Sequence, residues 1–100
     1  MAALAISAEE ARTVSDILAR CLPDGYRVYA FGSRATGIRL KPWSDLDLSI
    51  EGPAPLPPRT LAQLGDAFDE SLLMWKVDVV DRTTVSESFG RIIDADKVPL

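Results

Sequence analysis

The chain has 100 residues, of which 47% are hydrophobic and 26% charged, a balance typical of one globular domain rather than of a disordered segment. It contains no histidine and a single cysteine, Cys21, which excludes histidine-dependent catalysis, histidine-ligated zinc and disulfides within the chain. The net charge of −4 argues against direct binding of nucleic acid. Because the chain has no histidine and only one cysteine, any chemistry falls to carboxylates, hydroxyls, cations and the backbone.

The first seven residues, Met-Ala-Ala-Leu-Ala-Ile-Ser, contain no basic residue, and their apolar run is too short for a signal peptide. No segment approaches the roughly 20 apolar residues that a membrane-spanning helix needs. We therefore expect a cytoplasmic protein that does not associate with membranes. Its length predicts one domain, residues 1–100.

The first predicted element is a helix that begins at a capping box, Ser7-Ala-Glu-Glu10. Apolar residues then recur at helical spacing over about three turns, at Ala11, Val14, Ile17, Leu18 and Cys21. Because Cys21 lies on this apolar stripe, it is predicted to be a core thiol rather than a reactive one. The turn Pro23-Asp-Gly25 ends the helix, and the aromatic and β-branched residues 26–31 predict a strand.

A loop with room for one helical turn is predicted for residues 32–44, and it leads into a second strand, residues 45–50. The strand alternates strictly, with Leu46, Leu48 and Ile50 on one face. The proline-rich segment 52–58 is predicted to be a surface loop, although such a segment can also be a polyproline ligand. Apolar residues at helical spacing predict a second helix, marked by Leu61, Leu64, Phe68 and Leu72.

A third strand is predicted for residues 74–80, and a last helix follows, capped by Thr84 or Ser86. The buried stripe of that helix is predicted to be Val85, Phe89, Ile92 and Ile93. Trp43 and Trp75 are interpreted as packing residues. The order helix, strand, strand, helix, strand, helix predicts a small α/β or α+β fold with helices packed on a sheet.

Asp45 and Asp47 lie two residues apart in the second predicted strand, so their side chains project from the same face. Such a pair can simply be the polar face of a half-exposed strand. However, the two carboxylates repel each other, and a divalent cation would turn that repulsion into attraction. Carboxylate oxygens are suitable ligands for Mg²⁺.

Gly32 and Ser33 directly follow the first predicted strand. A glycine permits close approach of the backbone, and the serine offers a hydroxyl and an N–H where a helical turn can begin, which together favour binding of an anion. Arg34, Arg39 and Lys41 add positive charge for a polyphosphate. The alternative is an ordinary glycine turn with solvated arginines.

Taken together, the Gly32-Ser33 loop and the Asp45 and Asp47 pair indicate a function more specifically than either feature does alone. The order strand, Gly32-Ser33, loop, Ser44-Asp45-Leu46-Asp47, and then a strand with Asp78 among valines resembles the nucleotidyltransferase (DNA polymerase beta-like) superfamily. The chain looks most like the minimal nucleotidyltransferase (MNT) branch, the antitoxins of HEPN/MNT toxin–antitoxin pairs. The match runs from about residue 26 to residue 81.

The resemblance implies a mixed sheet flanked by helices and a mechanism with two Mg²⁺ ions and ATP as the substrate. It implies that Asp45, Asp47 and Asp78 are catalytic and hold the metal ions, with Asp78 also able to take a proton. Gly32 and Ser33 would bind the phosphates of the nucleotide, with Arg34 as a weaker candidate. Asp78 is preferred over Asp81 as the third carboxylate, because Asp81 lies at the end of the strand, where a turn or helix cap is the simpler role.

In the family it resembles, AMP moves from ATP to a hydroxyl of a partner protein. The implied acceptor is a tyrosine on a HEPN-domain toxin, which would make this chain the antitoxin. Two other functions remain open. One is a non-catalytic module that neutralises its partner by binding alone, and the other is the catalytic subunit of a small-molecule nucleotidyltransferase of the aminoglycoside type.

Overall fold

A computed structural model describes residues 4–100. The prediction that the chain has no signal peptide rests in part on residues 1–3, which lie outside the described residues. The elements in chain order are α1 (Ala8–Cys21), β1 (Arg27–Phe31), α2 (Ser33–Thr36), β2 (Leu46–Glu51), α3 (Pro58–Asp69), β3 (Val77–Asp81), α4 (Glu87–Asp96) and β4 (Val98–Pro99). No helix in this part of the chain is long and apolar enough to cross a membrane.

The four strands form one mixed sheet in the order β3-β2-β1-β4. β1 pairs antiparallel with both β2 and β4, whereas β2 and β3 run parallel. Parallel neighbours need a crossover connection, and α3 provides it. The predicted fold, a small mixed sheet flanked by helices, is confirmed.

The capping box predicted at the start of α1 is present. The Ser7 hydroxyl accepts from the Glu10 N–H at 3.0 Å, and the Glu10 carboxylate accepts from the Ser7 N–H at 2.8 Å. The helix is longer than predicted, with 14 residues. Its buried face carries Val14, Ile17 and Leu18, and Cys21 packs beside them, partly buried, as expected of a core thiol.

The core lies on the face of the sheet that α1 and α3 cover. The predicted alternation of β2 is confirmed, because Leu46, Leu48 and Ile50 are all buried there. Leu64 and Phe68 of α3 pack on the same cluster. Burial of a large aliphatic side chain contributes about 1.5–3 kcal/mol, so this face holds the fold together.

The opposite face of the sheet is where α4 packs. The rings of Phe31 and Phe89 meet edge to face, with centroids 5.8 Å apart. At the other end of the helix, Lys97 pairs with Glu51 at 3.1 Å and lies over the ring of Tyr29. Ser86, one of the two predicted caps, begins α4 by accepting from the Phe89 N–H.

Several sequence predictions are wrong in detail. Leu72 is 96% exposed because α3 ends at Asp69, one turn earlier than predicted. The third strand begins at Val77 rather than at Met74.

The burial of three other side chains was also predicted. Ile92 is exposed on α4, contrary to the prediction. Trp43, predicted to pack, is 71% exposed, whereas Trp75 is buried as predicted.

Candidate active site

The site begins at the glycine that ends β1. Gly32 has φ +77° and ψ −160°, a conformation that residues with a Cβ rarely adopt. This sharp turn directs the chain from the strand into α2, and the Gly32 carbonyl accepts from the N–H groups of Ala35 and Thr36. Gly37, in the left-handed region, ends the helix. The predicted helical turn in this loop is confirmed.

Gly32 is also in close contact with a predicted site carboxylate. Phe31 and Asp47 are register partners in the β1–β2 pair, so Asp47 lies beside the turn. A Cβ added to Gly32 would collide with Oδ2 of Asp47. A glycine is therefore required here for two reasons: the backbone has a positive φ, and the Asp47 carboxylate occupies the space that a Cβ would need.

The parallel pairing of β2 and β3 brings the predicted acidic residues together. Asp47 and Asp78 are register partners, so their side chains share a face, and Asp45 directly precedes β2. Burial raises the pKa of Asp47 to about 6, and the charges of Asp78 and then Asp45 add to this effect. The three carboxylates therefore form one electrostatic cluster.

Lys76 is a member of this cluster that the sequence analysis missed. Its Nζ lies 3.3 Å from Oδ1 of Asp78. The hydrogen bond and charge of Asp78 raise the pKa of Lys76, with smaller contributions from Asp45 and Asp69. The signal was present in the sequence, because residues 76 and 78 have the same two-residue spacing as Asp45 and Asp47.

The chemistry of the cluster fits Mg²⁺, which prefers carboxylate oxygens. Burial raises the pKa of Asp47 most, and a bound cation would relieve the repulsion by Asp78 and Asp45 that adds to it. The absence of a side chain at Gly32 leaves room for the Asp47 carboxylate. Among residues 4–100, no three acidic or cysteine side chains are grouped as the ligands of one ion. Oδ1 of Asp78 is paired with Lys76, so a cation bound at that oxygen would compete with the lysine.

Arg34 does not fit the role of a phosphate ligand that the resemblance implied. Its side chain is 6% exposed and lies over the ring of Trp75, 4.5 Å from the centroid. Nε donates to the Ser44 carbonyl at 2.7 Å, and the two terminal nitrogens donate to the carbonyls of Ala5 and Pro42 at 2.8 and 3.0 Å. The guanidinium thus fastens the segment that leads into Asp45, which corrects the prediction.

The segment between α2 and β2, residues 37–45, carries the other two predicted cations, Arg39 and Lys41, on its exposed surface. It is held by a local turn in which the Lys41 N–H donates to the Ser44 hydroxyl and the Ser44 N–H donates to the Lys41 carbonyl. Trp43 projects from the same segment. The site therefore has a basic and aromatic margin on the side of β2 where Asp45 lies.

Asp81, the alternative third carboxylate, lies on the other face of β3. It is buried, and its oxygens accept from the Leu56 N–H at 2.7 Å and from the Thr83 N–H and hydroxyl at 2.9 and 2.7 Å. Burial alone would raise the pKa of Asp81, but these hydrogen bonds outweigh it and lower the pKa. Asp81 thus ties the proline-rich loop to the sheet, and Asp78 is the residue beside Asp47.

Replacing Asp81 with asparagine is expected to lower the free energy of unfolding by about 2 kcal/mol at pH 7, because an amide nitrogen cannot accept these hydrogen bonds. Because the folded pKa of Asp81 lies below the unfolded one, its contribution is present above about pH 4 and is lost as the pH falls through the folded pKa. Urea unfolding at pH 7 and at pH 3 measures both effects. An equal loss at the two pH values, or a loss no larger than that of exposed Asp24→Asn, would contradict this role.

A strand, a glycine turn and a short helix beside paired carboxylates on the neighbouring strand define the nucleotidyltransferase class, and comparison with known proteins agrees. The chain belongs to the nucleotidyltransferase domain family, whose model matches residues 11–100. The probable protein adenylyltransferase MntA of Haemophilus influenzae is 47% identical to it over 92 residues, which cover 92% of this chain and 79% of that protein.

Solved structures share the fold at lower sequence identity. A toxin–antitoxin complex with AMP-PNP contains a chain that is 20% identical, with a TM-score of 0.72 over 88% of this chain and 69% of that one. A spectinomycin adenyltransferase of Enterococcus, AAD(9), solved with ATP and spectinomycin, matches with a TM-score of 0.54 and 20% identity. That match covers 94% of this chain but only 48% of the other.

Proposed function

We propose that this chain transfers AMP from ATP to a hydroxyl of a partner toxin, and that it acts as the antitoxin. The observation that carries the proposal is the β2–β3 register, in which Asp47 and Asp78 are paired beside the Gly32 turn. The similarity to a probable protein adenylyltransferase supports a protein as the acceptor, and the AMP-PNP in the related toxin–antitoxin structure supports ATP as the donor.

In this proposal each residue of the cluster has a distinct task. Asp45 and Asp47 would hold two Mg²⁺ ions, and Asp78 would complete the ligands of one of them. Gly32 and Ser33 bind the β- and γ-phosphates of ATP through the backbone and the serine hydroxyl. The ions, when bound, would stabilise charge on the attacking and leaving oxygens and lower the pKa of the acceptor hydroxyl.

The reaction is an in-line displacement at the α-phosphorus. The acceptor oxygen forms a bond to that phosphorus while the bond to the bridging oxygen breaks, and pyrophosphate leaves. The proton of the acceptor hydroxyl passes to Asp78, which the register holds beside Asp47. Asp47 is half-buried and close to the negative charges of Asp78 and Asp45, and binding of a cation would offset the cost of ionising it.

The partner in this proposal is a HEPN-domain toxin, and the acceptor is one of its tyrosines. The side chain of Asp78 is 43% exposed, so the chain alone does little to orient an acceptor. Correct orientation is worth several kcal/mol of the barrier. A docked partner supplies the hydroxyl and encloses the site. The net charge of −4 favours encounter with a basic partner such as a ribonuclease.

The direct test is to incubate the chain with labelled ATP, Mg²⁺ and the product of the neighbouring gene, tested as the toxin. We expect label on the toxin, a mass increase of whole AMP units, and loss of toxin activity that persists after the chain is removed. Without the toxin, transfer to water or to small alcohols is expected to be slow. Label on an aminoglycoside in the absence of any toxin would instead favour the small-molecule enzyme.

A double variant separates transfer from binding. Asp45→Asn with Asp47→Asn is expected to bind the toxin as the wild type does, because asparagine keeps the size and shape of aspartate, but to leave it unmodified and active once the complex is dissociated. If the double variant silences the toxin as durably as the wild type, with no mass change in either case, the chain is a non-catalytic binding module.

The phosphate-binding role of Ser33 can be tested separately. Ser33→Ala removes one hydrogen bond to a charged phosphate, worth about 1.5–3 kcal/mol, so we expect apparent ATP affinity or transfer rate to fall ten- to a hundredfold. Steady-state kinetics over a range of ATP concentrations measures this, with exposed Ser15→Ala as the matched control. Unchanged kinetics for Ser33→Ala would make Gly32-Ser33 an ordinary turn.

A further inference from the structure

The cation nearest to the carboxylate cluster belongs to the protein itself. Leu46 and Val77 are the first register pair of β2 and β3, and Asp45 and Lys76 directly precede these two residues. The Leu46 N–H donates to the Lys76 carbonyl at 2.9 Å, which fixes the backbone there. The Lys76 ammonium reaches Asp78, whose side chain shares a face with Asp47, and the charge of Asp45 also acts on Lys76. Three acidic side chains and one ammonium therefore share a small patch.

The ion pair between Lys76 and Asp78 is weak enough for a divalent cation to replace Lys76 at Asp78. The two side chains are 66% and 43% exposed, and exposed ion pairs contribute little to stability. The oxygen of Asp78 that pairs with Lys76 is one of the two through which Asp78 could ligate a cation. The Lys76 ammonium and a divalent cation cannot both bind this oxygen tightly, because the two positive charges repel each other.

We propose that Lys76 is a positioning residue that competes with the divalent cation for Asp78 and thereby weakens metal binding at the site. This inference rests on the proposed function, because it takes Asp78 as a metal ligand. Lys76 stabilises the cluster when no divalent cation is present, and its ion pair with Asp78 is weakened when one binds. Removing its charge therefore has opposite effects on the two forms.

The test is direct titration of the full chain with Mn²⁺ in the absence of nucleotide, with free Mn²⁺ followed by electron paramagnetic resonance. We expect Lys76→Gln to bind Mn²⁺ about three- to tenfold more tightly than the wild type, because an opposing charge and a competing pair are both removed. Lys76→Arg, which keeps the charge, is expected to restore wild-type affinity. Arg59→Gln makes the same change in net charge at the start of α3, near the other end of β2, and is expected to change affinity less than twofold.

Further measurements distinguish this role from a general charge effect. In an Asp78→Asn background, Lys76→Gln is expected to have a smaller effect on Mn²⁺ affinity, because the contested oxygen has been replaced. In thermal unfolding, Lys76→Gln is expected to lower Tm without metal and to increase the rise in Tm on adding Mn²⁺. Unchanged or weaker Mn²⁺ binding by Lys76→Gln, or an equal effect with Asp78→Asn, overturns the inference.

The same titrations separate this inference from the proposed function. A wild-type chain that binds no Mn²⁺ yet transfers AMP to the toxin overturns the role of Lys76 and leaves the transferase standing. A chain that shows the Lys76→Gln effect on Mn²⁺ binding but transfers no AMP supports competition for Asp78 and overturns the transferase.

Discussion

Asp47→Asn is expected to lower the rate of AMP transfer about a thousandfold or more while the chain remains folded. An asparagine keeps the shape of the side chain but removes the charge that attracts a cation. Charge stabilisation by a bound metal ion is worth several kcal/mol, and about 1.4 kcal/mol corresponds to a tenfold change in rate. Transfer of labelled AMP to the toxin at saturating Mg²⁺ measures the effect, and Asp66→Asn, exposed on α3, is the matched control. Near-normal transfer by Asp47→Asn would contradict the two-metal proposal.

The same variant is expected to be more stable than the wild type when no divalent cation is present. Burial and the charges of Asp78 and Asp45 raise the folded pKa of Asp47 to about 6, so ionising it costs stability. The wild type therefore loses stability as the pH rises from about 4 through 6, and Asp47→Asn avoids this loss. Because solvent still reaches Asp47 and screens its charge, we expect a gain of about 1 kcal/mol at pH 8 that shrinks towards pH 4. Urea unfolding in the presence of a chelator measures it, and a gain that does not change with pH would contradict this account.

The second large effect concerns stability rather than chemistry. Arg34→Ala is expected to lower the free energy of unfolding by about 3–4 kcal/mol, because the carbonyls of Ala5, Pro42 and Ser44 lose their donor and the face of Trp75 loses its cover. A domain of this size is typically stable by only about 5–15 kcal/mol, so the change is severe. Equilibrium urea unfolding of Arg34→Ala measures it.

Two further variants test the reason for that loss. Arg34→Lys keeps the charge but cannot reproduce the planar fork of donors, so we expect an intermediate loss of about 2 kcal/mol. Arg12→Ala, on the exposed side of α1, is expected to change stability by less than about 0.5 kcal/mol. A fully stable Arg34→Ala with selectively weakened ATP binding would return the arginine to the role of a phosphate ligand.

The sequence was most informative where a short period or a local rule decides the structure. The alternation of Leu46, Leu48 and Ile50 predicts their burial because side chains on a strand must point to opposite faces in turn. The capping box at Ser7 is equally local, since both of its hydrogen bonds span three residues. The order of the site motifs along the chain was also sufficient to indicate the family.

What the sequence did not determine depends on contacts between distant segments. The face on which Asp78 lies relative to Asp47 follows from the β2–β3 register, which neither strand encodes alone. An arginine in a basic loop is expected to be solvated. The contacts that bury Arg34 include two that are distant in the chain, the Ala5 carbonyl and the ring of Trp75. β4 was missed because two residues, one of them a proline, carry no strand pattern.

The edges of the sheet limit how another protein can attach. On one side, β4 is two residues long and ends in Pro99, which has no N–H to offer an incoming strand. On the other side, β3 carries Asp78 and Asp81 within five residues, and charges on an edge strand discourage further pairing. Recognition by strand addition is therefore disfavoured at both edges. A partner of this chain is expected to be selected by the side chains it meets on the sheet face and the loops, a mode in which specificity can change by point substitution without disturbing the backbone.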